Sequence, residues 1–205
     1  MSVLRTLLAS LLILAAGVAT LAAATDGFRA FTSETARRVD VRAHPRALPA
    51  VPLQTAGGQI TSAAALRGRW LLVEFIYTRC MTYCSVQGGE FARLQRELAA
   101  PIAADKVVLV SVSFDPGRDG PAQLADYQRR FGDDGEGWIA VRPTSERDLA
   151  ALMRVFGTTA VPDGLGGFVH NAAIAVVDPA GRLVAIMDWN DPDGAARYVM
   201  RRLAP

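Results

Sequence analysis

Two nearly uninterrupted apolar runs constrain the fold of this chain more than any other feature. They are "RWLLVEFIYT", residues 69–78, and "KVVLVSVSF", residues 106–114. A run of this kind is typical of a strand that is covered on both faces, as in a parallel sheet. Between the two runs Phe91, Leu94 and Leu98 recur at helical spacing, so we expect a helix there, ended by Pro101.

The rest of the globular part continues this alternation. A hairpin is predicted over residues 52–68, helices over 119–132, 145–157 and 191–203, a strand over 137–143, and a second hairpin over 168–189 that turns at "DPAGR". This order predicts an α/β fold in which a largely parallel central sheet gains an antiparallel edge and is flanked by helices. That arrangement is thioredoxin-like, with a mixed central sheet.

The N-terminal segment predicts an export signal or a membrane anchor. Arg5 is followed by twenty residues without a charge, 6–25, a length that lies between a signal peptide and a membrane span. Both alternatives place the rest of the chain on the periplasmic side of the inner membrane. Residues 1–25 are therefore expected to be the signal or anchor, residues 26–48 a linker, and residues 49–205 the folded domain.

The chemistry is expected at the two cysteines, Cys80 and Cys84, which are separated by three residues. A disulfide persists outside the cytosol, but one that closes so short a loop restricts the unfolded chain little, so a structural staple is disfavoured. Cys80 follows a predicted central strand and Cys84 begins a predicted helix, where backbone N–H groups favour thiolates. A redox pair and half of a metal site both remain open. The net charge of +2 gives no indication of a nucleic-acid partner.

A metal site needs further ligands, because two thiolates leave copper(I) or zinc one or two ligands short. The chain has two histidines. His44 lies in a proline-rich approach and is expected at the surface. His170 is expected to open the hairpin strand after "DGLGGF", a loop that a thioredoxin-like fold places beside the cysteines. Cys80, Cys84 and His170 would form a trigonal site suited to copper(I).

Three separated motifs, "FIYTRCMTYC", "VSFDPGRDGPAQLADYQRRFG" and "VHNAAIAVVDPAGRLV", resemble the SCO/SenC family of copper chaperones. The resemblance implies that Cys80, Cys84 and His170 bind copper, as Cu(I) and/or Cu(II), and that the Cys80–Cys84 pair can form a redox disulfide. It also implies help in building the copper-A centre of cytochrome c oxidase. The expected partners are the copper-binding subunit of the oxidase and a periplasmic copper donor or thiol reductase.

The sequence departs from the family pattern directly after each cysteine. Met81 and Ser85 stand where the family usually has proline, so a more mobile loop and altered copper affinity are expected. Asp115 follows the second buried strand and is expected to serve the turn before Pro116. Because the usual proline of thiol oxidoreductases does not precede "HNAAIAVVD", a non-enzymatic chaperone is favoured. The alternative is a thiol–disulfide reductase that keeps the copper-site cysteines of the oxidase reduced.

Overall fold

The computed structural model describes residues 2–80, 83–132 and 137–204. The chain divides into two compact units, Met1–Ala43 and His44–Pro205. The first unit contains helices α1 (Ser2–Ala24) and α2 (Ser33–Ala43), and α2 occupies much of the predicted linker. Over Val3–Ala24, α1 is long and apolar enough to cross a membrane, with a mean hydropathy of 2.3. A signal sequence has the same length and composition, so α1 fits both predicted roles.

The second unit alternates strands and helices. Its strands are β1 (Arg46–Ala47), β2 (Pro52–Thr55), β3 (Ile60–Ser62), β4 (Trp70–Ile76), β5 (Val107–Ser113), β6 (Trp138–Pro143), β7 (Ala160–Pro162), β8 (Phe168–His170), β9 (Ala173–Val177) and β10 (Arg182–Asp188). Its helices are α3 (Tyr83–Glu97), α4 (Ala99–Ala103), α5 (Pro121–Arg130), α6 (Glu146–Phe156) and α7 (Pro192–Leu203), with a 3₁₀ turn at Ala63–Leu66.

The main sheet is mixed, and its parallel part is central. Within the described residues it has eight strands in the order β1-β10-β9-β4-β5-β6-β2-β3. β5 pairs parallel with both β4 and β6, while β9 and β10 form the predicted antiparallel hairpin beside β4. The hairpin of β2 and β3 adds to β6 in antiparallel orientation. Parallel pairing is therefore confined to β4, β5 and β6, which is less than the sequence predicted.

The predicted helix before β5 is divided in two. α3 ends at Glu97, and Leu98 leaves helical geometry with φ −102° and ψ 16°. The prediction that Pro101 ends the helix is wrong, because Pro101 lies inside α4. A proline is tolerated in the first turn of a helix, where the backbone N–H would have no intrahelical partner.

The predicted C-terminal hairpin begins later than expected. β8 pairs with β7 in a separate two-stranded sheet, and the hairpin strand β9 starts only at Ala173. Asn171 separates the two strands, since its side chain accepts from Thr159 N at 2.8 Å and donates to Gly157 O at 3.0 Å. The prediction that His170 opens the hairpin strand is therefore wrong. His170 is the last residue of β8.

A buried polar network lies at the centre of the main sheet. Glu74 on β4 is fully buried, and its Oε1 accepts hydrogen bonds from Ser111 Oγ at 2.5 Å and Tyr127 Oη at 3.0 Å. Ser111 Oγ accepts in turn from Trp138 Nε1 at 2.8 Å. Burial raises the pKa of Glu74 to about 7, although the hydrogen bonds oppose this shift. The carboxyl group therefore changes charge near neutral pH.

This raised pKa predicts a loss of stability on the alkaline side. The contribution of Glu74 to the free energy of unfolding is fully present below about pH 4.5 and is lost as the pH rises through about 7. At about 1.4 kcal/mol per pKa unit, the loss approaches about 3 kcal/mol. Glu74→Gln has no group that ionises at this position, so it should show no such loss and should be more stable than wild type at pH 8. Urea unfolding between pH 5 and pH 8.5 measures the difference.

The matched control is Asp126→Asn, which removes the same charge from an exposed position on α5. It should keep the pH dependence of the wild type. If Glu74→Gln also keeps that dependence, the buried carboxyl does not control the alkaline stability.

Candidate metal centre

A cavity of about 350 Å³ lies at the carboxyl end of β4. It is lined by Tyr77, Cys80, Asp163, Phe168, Val169, His170 and Ala172. Cys80 comes from the loop after β4, and His170 comes from the end of β8. Two of the three predicted ligands, ninety residues apart in the sequence, therefore line the same cavity.

The third predicted ligand is described only by its backbone. Cys84 lies in the first turn of α3, which begins at Tyr83. Its side chain, that of Ser85, and the whole of Met81 lie outside the described part of the structure. Among the side chains that are described, no group of three or more His, Cys, Asp or Glu residues converges. The contribution of Cys84 and the effect of Met81 and Ser85 stay predictions.

Aromatic rings surround His170. Its ring centroid lies 5.1 Å from that of Phe114 and 6.4 Å from that of Tyr77. Phe168 packs edge-on against both Phe114 and Tyr77, with centroid distances of 5.3 Å. Burial in this apolar wall lowers the pKa of His170 below its ordinary value of 6.5. The ring is therefore neutral at physiological pH, the form in which an imidazole binds a metal ion.

The loop that carries Cys80 is tightly turned and buried. Cys80 is 6% exposed, and its backbone N donates to Tyr77 O at 3.3 Å. Thr78, inside this turn, donates from both its backbone N and its Oγ1 to the buried carboxyl of Asp119, at 3.0 and 2.6 Å. The cysteine thus follows a segment that is anchored to the loop after β5.

Asp115 serves the turn that the sequence predicted. Its backbone N donates to Ser113 Oγ at 3.0 Å, and its backbone O accepts from Arg118 N at 3.0 Å. Its carboxylate also forms an ion pair with Arg79, the residue before Cys80, at 3.2 Å. It is not among the residues that line the cavity.

Arg79 links the cysteine loop to the loop that precedes His170. Besides Asp115, its Nη2 donates to Gly166 O at 3.1 Å. This second loop is closed by Asp163, whose Oδ1 accepts from Leu165 N at 2.8 Å and Gly167 N at 2.9 Å. A Cβ at Gly167 would lie 2.6 Å from Asp163 Oδ2 and 3.0 Å from Tyr77 Oη, so both side chains would have to shift to admit a larger residue.

Sequence reasoning missed Arg79, Asp119 and Asp163. Single polar residues in loops have no periodicity, and Asp115, Gly166 and Thr78, which Arg79 and Asp119 contact, lie 36 to 87 positions away in the chain. The spacing "DGLGG" was the one local signal, because Asp followed by glycines is typical of a side chain that closes its own turn. His44 is exposed, as predicted, and does not line the cavity.

Residues 49–204 match the sequence profile of the SCO1/SenC family. The chain belongs to this family. The matched segment spans the whole alternating domain, including the cavity residues and α3. The resemblance that the three sequence motifs indicated is confirmed.

Relatives of this SCO1/SenC protein agree in sequence and in fold. A candidate copper-binding protein from Stutzerimonas stutzeri is 32% identical over 187 residues, covering 89% of this chain and 88% of the relative. Bradyrhizobium japonicum ScoI, solved with copper bound, is 26% identical with a TM-score of 0.64, over 76% of this chain and 98% of that one. BsSco, described as a Sco-family cytochrome c oxidase assembly protein with a disulfide switch, matches at 21% identity and a TM-score of 0.68, covering 77% and 94%. The predicted thioredoxin-like fold is confirmed.

The position of Arg79 predicts that its loss loosens the loop before His170. Arg79→Ala removes the hydrogen bond to Gly166 O, and amide hydrogen exchange in residues 164–170 should become about fivefold faster, as expected for a hydrogen bond of about 1 kcal/mol. Exchange measured by mass spectrometry on the resolved peptides tests this.

Arg118→Ala is the matched control, because Arg118 pairs with the same Asp115 carboxylate at 3.5 Å from within its own turn. Exchange in residues 164–170 should keep its wild-type rate in this variant. Equal acceleration in both variants would mean that Asp115, rather than the link to Gly166, controls the loop.

Proposed function

We propose that this SCO1/SenC protein is a copper metallochaperone, which binds copper through Cys80, Cys84 and His170 and delivers it to the copper-binding subunit of cytochrome c oxidase. One observation carries the proposal: Cys80 and His170 line the same cavity, beside the first turn of a helix that contains Cys84. Copper in Bradyrhizobium ScoI and the copper-binding description of the Stutzerimonas relative support the choice of metal.

The donor set suits copper(I). Thiolates are soft ligands that select copper(I), while an imidazole accommodates both copper oxidation states. Cys84 lies where the N–H groups and the dipole of α3 favour the thiolate. The buried position of His170 keeps its ring neutral. Cys84 and His170 thus each have an environment that favours the form in which they bind metal.

Delivery is proposed to occur by ligand exchange. Each incoming ligand of the oxidase subunit replaces one ligand of this chain, so copper(I) is neither oxidised nor reduced. His170 is half-buried and lies on a ribbon whose Val161 and Val169 are 61% and 69% exposed, whereas Cys80 is buried. Of these two ligands, the imidazole is therefore the one that a partner reaches first, and the Cys80 thiolate follows.

The same thiols provide a redox gate. Oxidation of Cys80 and Cys84 to a disulfide releases two electrons and two protons and removes two of the three ligands. Copper(I) binding then requires a reductant, for which a periplasmic thiol reductase is the proposed partner, while a copper donor supplies the metal.

A thiol–disulfide reductase acting on the copper-site cysteines of the oxidase is the second candidate. One observation favours it: Cys80 follows β4 and Cys84 lies in the first turn of α3, a placement in which the helix start lowers the pKa of a thiol. Both candidates use both cysteines. His170 distinguishes the two candidates, because thiol–disulfide exchange does not require an imidazole.

The two candidates predict different effects of His170→Ala. If the protein delivers copper, His170→Ala and Cys80→Ser cells should both lose most cytochrome c oxidase activity, since each variant lacks a ligand. The purified His170→Ala protein should also retain copper(II) less well than the wild type, because imidazole suits that ion better than two thiolates alone. Oxidase activity is measured with and without added copper.

His44→Ala is the matched control, since it removes the exposed histidine that does not line the cavity. It should leave copper retention and oxidase activity at wild-type levels. Normal oxidase in His170→Ala cells together with failure in Cys80→Ser cells would replace the chaperone by the reductase.

We further propose that α1 places the domain on the periplasmic side of the inner membrane, as an anchor or as a cleaved signal. Its apolar length and the single charge at Arg5 support this location. Residues 26–48 then connect α1 to the copper-binding domain at 49–205.

This location predicts the behaviour of reporter fusions. Alkaline phosphatase fused after the C-terminus should be active, because it folds only after export, and a cytosolic reporter at the same position should be silent. Mass spectrometry of the N-terminus distinguishes the alternatives: a retained Arg5 peptide in membranes indicates the anchor, and a mature start near Thr25 indicates cleavage. An active cytosolic reporter would contradict both.

A further inference from the structure

We propose that Asp119 is a positioning residue for Cys80, whose buried carboxyl group holds the turn that carries the cysteine at the edge of the cavity. The proposal rests on the proposed copper site and adds a residue to it that does not bind the metal. Asp119 lies in the loop between β5 and α5, immediately before the N-cap Gly120 of α5.

Three donors converge on the Asp119 carboxyl group. Its Oδ2 accepts from Thr78 N at 3.0 Å and from Ser113 Oγ at 2.6 Å, and its Oδ1 accepts from Thr78 Oγ1 at 2.6 Å. Asp119 and Ser113 are fully buried, and Thr78 is 6% exposed. Thr78 N can only donate and the two hydroxyls are placed to donate, so an aspartate, with acceptors on both branches, satisfies all three contacts at once.

The contacts fix the cysteine turn at two points. Thr78 is held through its backbone N and through its side chain, so neither can reorient without breaking a buried hydrogen bond. The turn then closes two residues later, where Cys80 N donates to Tyr77 O. The position of the Cys80 thiol is thereby tied to Asp119.

Asp119 is itself rigidly held. Its backbone N donates to Asp115 O at 2.9 Å, and Ser113 is the last residue of β5, which pairs with Ile76 at the end of β4. The carboxyl group thus ties Thr78, in the loop after β4, to the end of β5, whose register with β4 is fixed. Mutation of a residue that supports a metal ligand in this way commonly lowers metal affinity by about 10- to 100-fold.

The chain provides a matched control at the other end of the sheet. Asp178 is also a buried aspartate that closes a turn, accepting from Arg182 N and Arg182 Nε at 2.9 Å each. It follows β9, whose Val177 pairs with Leu71 near the start of β4. A general cost of losing a buried carboxylate should therefore appear in both variants, whereas an effect on the cysteines should appear only at Asp119.

The test compares Asp119→Asn with Asp178→Asn in the full chain, using two readouts. The first is copper(I) affinity of the reduced protein, measured by competition with a chromophoric copper(I) chelator. The second, made without copper, is the equilibrium between the Cys80–Cys84 dithiol and disulfide in glutathione redox buffers. In Asp119→Asn the amide nitrogen replaces one carboxylate oxygen, so the Thr78 hydroxyl on that side must turn and accept instead of donate, and the buried contacts are rearranged. We expect about tenfold weaker copper(I) binding and at least a threefold change in the glutathione equilibrium constant.

Thr78→Val and Thr78→Ser extend the test to the other side of the contact. Thr78→Val removes the hydroxyl donor and should change both readouts in the same direction as Asp119→Asn, whereas Thr78→Ser keeps the hydroxyl and should restore them. This pair decides the question if Asp119→Asn fails to fold.

Wild-type values of both readouts in folded Asp119→Asn, or equal changes in Asp178→Asn, would overturn the proposal. Failure of Thr78→Ser to restore what Thr78→Val loses would overturn it as well. If the wild-type protein itself holds no copper(I), the proposed function fails, and the glutathione equilibrium still tests the role of Asp119.

Discussion

The site depends on the parallel, in-register pairing of β4 and β5. Seven successive residue pairs join the strands, from Trp70 and Val107 to Ile76 and Ser113. Because parallel strands end at the same edge of a sheet, this pairing places the loop after β4 beside the loop after β5. The first loop carries Cys80, and the second carries the aspartates that hold it. Without this register, the hydrogen bonds from Thr78 to Asp119 could not form.

The central strands were predictable from their nearly uninterrupted apolar runs, and most helices from the helical spacing of their apolar residues. The boundaries of α6 also followed from local chemistry: Ser145 caps its start and accepts from Asp148 N, and Gly157 ends it with a φ of +64°. Cys80, Cys84 and His170 were found from their residue types, the order of elements and the family resemblance. The convergence of Cys80 and His170 on one cavity agrees with that interpretation.

What the sequence did not predict depends on contacts between distant residues. The strands β7 and β8 have three residues each and pair only through tertiary placement, so β8 was assigned to the following hairpin and β7 was not predicted. Arg79 contacts residues of two other loops, and Asp119 contacts Thr78 in the loop after β4. Glu74 interrupts an apolar strand in the sequence, and only the fold shows that Ser111 and Tyr127 donate to its Oε1.

Because β7 and β8 form a separate ribbon, Cys80 and His170 are held by different parts of the fold. Cys80 is built into the main sheet through Thr78 and Asp119, so changes to its surroundings disturb the core. His170 belongs to a small sheet of its own, joined to the cysteine loop through Arg79 and to the end of α6 through Asn171. The ribbon can therefore change its last residue or the length of its loop while the packing of the main sheet is retained. A substitution at His170 would therefore change the lining of the cavity while the core of the main sheet keeps its packing.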